Sequence, residues 1–339
     1  MDEGGAYWVF DDPTNTIFVF DSAGKFVRKV GRVGKGPGEF KFDGGMSALA
    51  DGRVAVWDDG NARVSFFSLD GRYQTSWRVP PGSVRFRALG EDRAGQLYVK
   101  RTAFMESVGN QVPHGREVLL RLRANGVGDT LFAPDLHIPN VEYEMGSENG
   151  GDNTTAVFMT EAQYAPKMLW DWHPDGFFVT GHGALYQVTL FRTKERPIRI
   201  ERTFAPVSVS AEERKTEELS ILGDPSRAWR GPPLPATKPP LMDLFIARDG
   251  RIWARVPAPS TSAVTDNPDK RPGKPQKITT YRTPVLWEVF SREGAFLGRV
   301  AFPGRAKLMQ ADGNRVWAIQ LDDDDLPSAV RYRIEPPLR

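Results

Sequence analysis

The sequence contains no cysteine and only four histidines among its 339 residues. Without cysteine the chain can form no disulfide bond, no cysteine-ligated zinc site and no thiol nucleophile. The histidines show neither an H-E-x-x-H motif nor any other metal-ligand spacing. The lack of cysteine is compatible with the cytoplasm and with a Gram-negative periplasm, so it does not distinguish between these two compartments.

Long apolar runs and an excess of one charge are also missing. No apolar run approaches the roughly 20 residues that a membrane helix needs, so we expect no membrane span. Lysine and arginine number 45 against 43 aspartates and glutamates, which leaves a net charge of +2. This balance argues against nucleic acid as the main partner. Hydrophobic residues make up 40% of the chain, enough for a sizeable core.

A glycine-rich stretch, GRVGKGPGEF at residues 31–40, raises the question of phosphate binding. A P-loop needs G-x-x-x-x-G-K-[ST], but Pro37 follows Gly36 where the lysine should stand. The dinucleotide pattern G-x-G-x-x-G is absent as well, and no helical pattern follows. Because glycines allow positive φ and proline fixes one φ, the stretch is predicted to connect two strands.

Short strand patterns dominate the chain, with β-branched and aromatic residues alternating with polar ones before Gly or Asp turns. The clearest group of four such strands spans residues 46–79, with the strands MSALA, RVAVW, RVSFFSL and RYQTSWRV. Asp-Gly turns join the first strand to the second and the third to the fourth. Alignment of the chain on this unit gives copies at residues 6–30, 46–79, 84–132, 168–204, 241–302 and 306–334.

The first and last copies have three strands each, which makes twenty-two strands in six units. Four-stranded units repeated around a ring are typical of a β-propeller. We therefore predict an all-β fold, a six-bladed β-propeller of four-stranded antiparallel blades that forms a single domain over residues 1–339. The first and last blades are incomplete, and one short helix lies in an insertion. The stretch 31–40 then joins the first blade to the second.

The two missing strands would be neighbours in a closed ring, the outer strand of the last blade and the inner strand of the first. One deletion of an N-terminal segment explains both gaps. We therefore expect the chain to be a fragment, or to start at an internal methionine. A signal peptide or lipoprotein signal could have preceded it, although none is visible in the opening MDEGGAYWVF.

The connections between strands divide into two groups of unequal length. In a four-stranded meander the first and third turns share one face, and here these turns are tight and most of them end in glycine, chiefly as Asp-Gly or Asn-Gly. The long insertions all fall on the other face, at residues 102–116, 133–167, 205–240 and 257–283. Such loops over one mouth of a propeller channel are typical of a binding face.

The insertions differ in composition, and each predicts its own structure. Ser210 and Glu213 have the spacing of a capping box before a short helix. Residues 231–240, GPPLPATKPP, favour an extended polyproline path. Residues 257–283 are rich in Pro, Ser, Thr and Lys and are expected to be mobile. Residues 133–167 could fold over the channel as a lid.

Among the histidines, His182 is the best candidate for acid–base catalysis, because it lies in a GHG turn on the long-loop face. The alternative is a hydrogen-bonded turn histidine, which is favoured while no partner residue is in view. His173, in the tight WHPDG turn, is expected to be structural. No Ser or Thr lies in a G-x-S-x-G elbow.

Three aspartates, Asp11, Asp58 and Asp322, end or follow the second strand of three different blades, on the long-loop face. Recurring carboxylates near one mouth could hold Ca²⁺ with carbonyl and water ligands. The alternative, which is favoured, is that each accepts hydrogen bonds in its own turn. No other cofactor is predicted. The tryptophans at equivalent strand positions (Trp8, Trp57, Trp253 and Trp317) are better explained by packing between adjacent blades.

With the blades assigned, the sequence resembles bacterial six-bladed β-propeller proteins of the NHL-like type. The resemblance rests on IFVFDSAGKFVRKVGRVGKGPGEF (17–40), ADGRVAVWDDGNARVSFFSLDGRY (50–73) and ARDGRIWARV (247–256). It implies an exported, periplasmic or envelope-associated protein, with the cytoplasm not excluded, and brings no catalytic residues. Relatives of the same architecture include gluconolactonase-like and amidating-lyase-like enzymes, whose metal-ligand constellations are not visible here.

These observations favour a non-enzymatic binding propeller of the bacterial cell envelope. Its partner, a protein, peptide or glycan, is expected on the long-loop face, and the chain is expected to be a monomer. The alternative is a metal-dependent, lactonase-like hydrolase or lyase with its site at the mouth of the channel. A metal ion on the axis held by three or more side chains would favour that alternative.

Overall fold

The computed structural model describes residues 5–41, 43–79, 88–104, 115–134, 136, 143–147, 156–160, 164–222, 233–267, 276–322 and 324–338. These residues form two compact units. The first contains residues 1–133 and 174–176, and the second contains residues 134–173 and 177–339. The prediction of a single domain over residues 1–339 stays a prediction.

The first unit contains three antiparallel meander sheets, one of three strands and two of four. Their strands are β1 (Tyr7–Asp11), β2 (Thr16–Phe20) and β3 (Phe26–Val30); β4 (Asp43–Ala48), β5 (Arg53–Asp58), β6 (Arg63–Ser68) and β7 (Tyr73–Arg78); and β8 (Ala88–Glu91), β9 (Leu97–Phe104), β10 (Gly115–Arg123) and β11 (Gly126–Phe132). Each strand pairs with the next one in the sequence.

The second unit contains three further meander sheets, two two-stranded ribbons and one helix. Its elements are β12 (Tyr143–Ser147), β13 (Ala156–Thr160), β14 (Met168–His173), β15 (Phe177–His182), β16 (Gln187–Phe191), β17 (Ile198–Glu201), α1 (Ala211–Leu222), β18 (Asp243–Ile246), β19 (Ile252–Val256), β20 (Thr261–Asp266), β21 (Lys277–Arg282), β22 (Val285–Phe290), β23 (Phe296–Phe302), β24 (Arg305–Asp312), β25 (Arg315–Leu321) and β26 (Pro327–Arg333). The sheets are β14–β17, β18-β19-β22-β23 and β24–β26, and the ribbons are β12–β13 and β20–β21.

The fold class is confirmed, because the six meander sheets are blades of a β-propeller type and the first and last have three strands. All twenty-two predicted blade strands occur, and the described residues add four strands in the two ribbons. The predicted helix is confirmed as α1. The N–H of Glu213 donates to the Ser210 hydroxyl oxygen at 3.0 Å, which is the N-cap half of the predicted capping box.

Strand β5 is buried on both faces because neighbouring sheets cover both. In β5, Val54 and Val56 belong to the core shared with β2 and β3, whereas Ala55 and Trp57 belong to the core shared with β8 and β9. Successive side chains of a strand point to opposite faces, so one strand contributes to both cores. Trp57 therefore packs between sheets, as expected.

One expectation about the insertions was wrong. Residues 257–283 were expected to be mobile, but they contain the ribbon β20–β21, paired from Thr261↔Arg282 to Asp266↔Lys277. Thr, Val, Ile and Tyr occupy these strands, and their β-propensity outweighs the polar composition. Two of the prolines that suggested mobility, Pro257 and Pro259, precede β20, and the other three stand at residues 268–275, which lie outside the described residues. The predicted lid at residues 133–167 stays a prediction.

Candidate functional site

Three insertions of the second unit meet at one group of polar side chains, which we call the polar cluster. Tyr164 precedes β14, Glu213 lies in the first turn of α1, and Lys238 lies in the segment before β18. Ser260 directly precedes β20, and Thr283 directly follows β21. The insertions 133–167, 205–240 and 257–283 are therefore joined side chain to side chain, on what we call the insertion side of the second unit.

Lys238 is the centre of the polar cluster, and its side chain has no exposed surface. Its ammonium group donates to the Ala258 carbonyl oxygen at 2.8 Å, the Ser260 hydroxyl at 2.6 Å and the Thr283 hydroxyl at 2.7 Å. A lysine ammonium has three N–H groups, so all three are used. Burial lowers the pKa of Lys238, and the nearby Glu213 carboxylate opposes this shift.

Glu213 supplies the compensating negative charge. Its Oε1 accepts from the Tyr164 hydroxyl at 2.7 Å and from the Ser260 hydroxyl at 2.6 Å, and lies 4.0 Å from the Lys238 Nζ. Burial, followed by the hydrogen bond to Glu213, raises the pKa of Tyr164 to about 12. The Lys238 Nζ also lies 5.4 Å from the centroid of the Tyr164 ring, within range of a cation–π contact.

The contacts of the polar cluster join the three insertions through buried groups. Every N–H of the Lys238 ammonium group is donated, and the Ser260 hydroxyl donates to Glu213 Oε1. Glu213, Lys238 and Tyr164 are all buried, at 5%, 2% and 3% exposure. The polar cluster is therefore a cross-link that fixes the three insertions relative to one another.

His182 lies beside the same insertions, buried at the end of β15. The Ala184 N–H donates to the His182 Nδ1 at 3.1 Å, which places the proton of the neutral ring on Nε2. The next residue, Gly183, donates its N–H to the Lys167 carbonyl oxygen at 2.8 Å. The turn that contains His182 is thus hydrogen-bonded to the segment 164–167, which also contains Tyr164 of the polar cluster. Its catalytic role stays a prediction.

The other histidines do not join this site among the described residues. His173 Nε2 lies 3.1 Å from the carbonyl oxygen of Arg248, and its ring stacks on Phe177 at a centroid distance of 4.7 Å. These contacts are those of a structural residue. His114 and His137 lie outside the described residues.

Two of the three candidate calcium ligands, Asp11 and Asp322, accept hydrogen bonds within their own connections. The Asp11 carboxylate accepts from Thr14 N–H at 3.2 Å. Asp322 Oδ1 accepts from the N–H groups of Asp324 at 3.0 Å and Leu326 at 2.9 Å. Where the structure describes the chain, no group of three His, Asp or Glu side chains could hold a metal ion. The calcium site stays a prediction.

Asp58 has a different environment, because it positions the arginine that holds the glycine-rich stretch 31–40 in place. Its fully buried carboxylate accepts from Asn61 Nδ2 at 2.7 Å, Arg63 Nε at 3.2 Å and Lys41 N–H at 3.1 Å. Arg63 in turn donates to carbonyl oxygens of the stretch 31–40. These acceptors are Lys35 at 3.1 Å, Gly36 at 2.7 Å and Glu39 at 2.7 Å. We call this arrangement the arginine clasp.

The sequence alone predicted neither the polar cluster nor the arginine clasp. The capping box correctly located Glu213, but its side chain leaves the helix end to bind residues 47 and 49 positions away. Lys238 stands in a proline-rich segment with no motif around it. A possible signal was the isolated lysine in GPPLPATKPP, since an extended segment can carry a single side chain into a core.

The six meander sheets define a class of protein, the six-bladed β-propeller. Residues 2–86 match the model of the DUF5128 family, described as "6-bladed beta-propeller". No curated protein matches the chain. The described part of the chain contains no helix with the length and apolar character needed to cross a bilayer.

Solved structures with a similar fold have little sequence in common with this chain. A DUF4221 family member from Bacteroides vulgatus is 10% identical, with a TM-score of 0.49, over 98% of this chain and 94% of its own. A protein of unknown function from Bacteroides caccae is 11% identical, with a TM-score of 0.43, over 96% and 89%. Virginiamycin B lyase from Staphylococcus aureus is 9% identical, with a TM-score of 0.39, over 99% and 83%. Likeness of this degree assigns no activity to the chain.

Proposed function

We propose that the protein is a non-enzymatic binding module that engages a protein or peptide partner on the insertion side of the second unit. The polar cluster is the observation that carries this proposal. A surface held rigid before binding loses less conformational entropy on association, which favours affinity. The cluster provides that rigidity by joining three insertions through buried hydrogen bonds.

The ribbon β20–β21 offers the partner a surface. Five of the six residues of β20 are exposed, and Val264 is 67% exposed. A two-stranded ribbon leaves backbone N–H and C=O groups on its outer edges, and an extended peptide can pair with such an edge. Ser260 and Thr283 anchor the base of the ribbon in the polar cluster, so the ribbon presents a fixed edge.

The resemblance to exported six-bladed propellers supports a place in the bacterial cell envelope. We further propose that the protein acts as a monomer there. Light scattering on a size-exclusion column would test the monomer, and fractionation of the source cells would test the location.

The test of binding compares two substitutions of exposed valines. Val264→Asp alters the ribbon, and Val33→Asp is the matched control, since Val33 is 63% exposed in the first unit. The probes are a displayed random-peptide library and a glycan array. The proposal expects selected peptides whose affinity falls at least about tenfold in V264D, or 1.4 kcal/mol, and is kept in V33D.

Three outcomes would contradict the proposal. If the wild type selects no peptide, the proposed binding of a protein or peptide is wrong. If V264D and V33D change the peptide affinity equally, the ribbon is not the binding surface. Selection of glycans alone, with binding lost in V264D, would replace the protein or peptide partner of the ribbon with a carbohydrate.

A further inference from the structure

The first unit contains a cavity of about 320 Å³ that the proposed function does not use. It lies between the sheets β4–β7 and β8–β11, above the core that these sheets share. Leu49, Phe66 and Leu97 form its apolar floor, and all three are buried. The volume is at the lower end of the range of about 300–1,000 Å³ for small-molecule sites.

Three neighbouring side chains, Arg53, Phe66 and Trp77, form one wall of the cavity. The rings of Phe66 and Trp77 lie 4.7 Å apart between centroids. The guanidinium carbon of Arg53 lies 4.7 Å from the centroid of the Phe66 ring. Trp77 is only half-buried, so it borders the open space of the cavity. An indole in this position offers a flat, apolar and electron-rich surface.

The rim carries polar groups that are held in place. Arg53 Nε donates to Asp51 Oδ2 at 2.7 Å, and this hydrogen bond holds the pKa of Asp51 below its usual value. Glu91 Oε2 accepts from the Ala50 N–H at 2.7 Å, which fixes that carboxylate across the gap between the two sheets. A carboxylate has about four acceptor sites and a guanidinium five N–H donors, so capacity for a ligand remains.

We propose that this cavity binds one neutral sugar residue. A pyranose ring has an apolar face of C–H groups, which are weakly positive and suit the negative face of an aromatic ring such as Trp77. Its hydroxyl groups both donate and accept, which matches a rim of carboxylates and a guanidinium. Asp51 and Glu91 outnumber Arg53, so the rim carries a net negative charge and disfavours phosphates and uronic acids.

The proposal is independent of the proposed function, because the cavity lies in the first unit. The test uses saturation-transfer NMR with the methyl glycosides of glucose, galactose, mannose and N-acetylglucosamine. Methyl glucuronide, glycine and choline serve as charged comparison ligands. At least one neutral glycoside should bind the wild-type protein with a Kd below about 10 mM, or roughly −2.7 kcal/mol. A matching oligosaccharide that binds more tightly would identify the terminal residue of a glycan as the source, and equal binding would identify the free sugar.

Two substitutions in the cavity and one control complete the design. Trp77→Ala should weaken binding at least about tenfold, because the stacking surface is lost. Glu91→Gln keeps an acceptor for Ala50 but loses the charge, and should weaken binding at least about fivefold; it decides the question if W77A does not fold. Phe26→Ala removes an aromatic ring that is 49% exposed elsewhere in the first unit, and should leave binding unchanged.

Three results would overturn the proposal. The first is that no neutral glycoside binds the wild type. The second is that E91Q and every folded cavity variant bind as the wild type does. The third is that glucuronide, glycine or choline binds more tightly than every neutral glycoside.

Discussion

The arginine clasp of the first unit and the polar cluster of the second both use a buried carboxylate and a cation, but they stabilise different things. Arg63 donates to three backbone carbonyl oxygens of one ten-residue stretch. Lys238 donates to one carbonyl oxygen and two side-chain hydroxyls at the base of a ribbon, and its Glu213 partner reaches a third insertion.

The difference shows that short and long connections are held in place by different kinds of contact. A short connection that runs close to its sheet can be held by one arginine, because the planar guanidinium reaches several carbonyl oxygens at once. Insertions of 27 residues or more need contacts between one insertion and another. The polar cluster supplies these contacts, so its loss should cost more free energy of unfolding than the loss of the arginine clasp.

Removal of the Lys238 charge should have the largest effect. Lys238→Met leaves the Glu213 carboxylate buried without its cation, which should lower the free energy of unfolding by about 3–5 kcal/mol. Urea denaturation followed by circular dichroism measures this change. The double variant E213Q/K238M should recover part of the loss, because no uncompensated charge then remains. A loss of less than about 1 kcal/mol in K238M would show that the cluster is not a cross-link.

Alkaline pH should weaken the polar cluster through Tyr164. The folded pKa of about 12 lies above the usual tyrosine value of 10.0, so the folded state binds more protons than the unfolded state between these values. This stabilisation is complete below pH 10 and is lost as pH rises toward 12, at most about 2.7 kcal/mol for a two-unit shift.

The measurement is the difference in unfolding free energy between wild type and Tyr164→Phe across pH 9–12. The difference is needed because burial also raises the pKa of Tyr186, and Lys238, with its lowered pKa, titrates in the opposite sense. The advantage of the wild type should shrink as pH rises. A constant difference would mean that the folded state does not raise the pKa of Tyr164.

Removal of the charge at Asp58 should have a smaller effect. Asp58→Asn keeps the size of the side chain but weakens its bond to Arg63, and should cost about 2 kcal/mol. The matched control is Asp11→Asn, at a partly exposed turn, where about 0.5 kcal/mol is expected. Chemical denaturation of both variants gives the comparison. Equal costs would contradict the assignment of Asp58 to the clasp.

The smallest effect should come from calcium. Among the described residues, none of Asp11, Asp58 and Asp322 belongs to a group of three His, Asp or Glu side chains that could hold a metal ion, so Ca²⁺ would find too few protein ligands. We expect the melting temperature to change by less than about 1 °C on addition of Ca²⁺. A larger rise that is lost in D58N would instead support the calcium site considered from the sequence.

The strands could be predicted from the sequence because their signals are local. RVAVW alternates two sets of side chains that enter two different cores, and the Asp51-Gly52 hairpin fixes its start. Gly71 shows how closely such turns pack, since a Cβ there would lie 2.6 Å from Val30 Cγ2. Gly71 also has a φ of +86°, which a glycine adopts without strain.

The polar cluster could not be predicted in the same way. Its members come from positions 164, 213, 238, 260 and 283, and each pairing depends on how whole insertions cross in space. A capping box, an isolated lysine and two hydroxyl residues are common surface features when considered one at a time. Their burial becomes visible only with the tertiary structure, and so does the ribbon that composition alone assigned to a mobile segment.

Hydrogen–deuterium exchange of wild type and K238M tests the central claim most directly. If the polar cluster joins the insertions, amides of α1 (211–222) and of the ribbon (261–266 and 277–282) should exchange faster together in K238M. Amides of β5 (53–58), in the first unit, should keep their protection. Unchanged exchange in α1 and the ribbon, or faster exchange in only one of them, would contradict a shared cross-link.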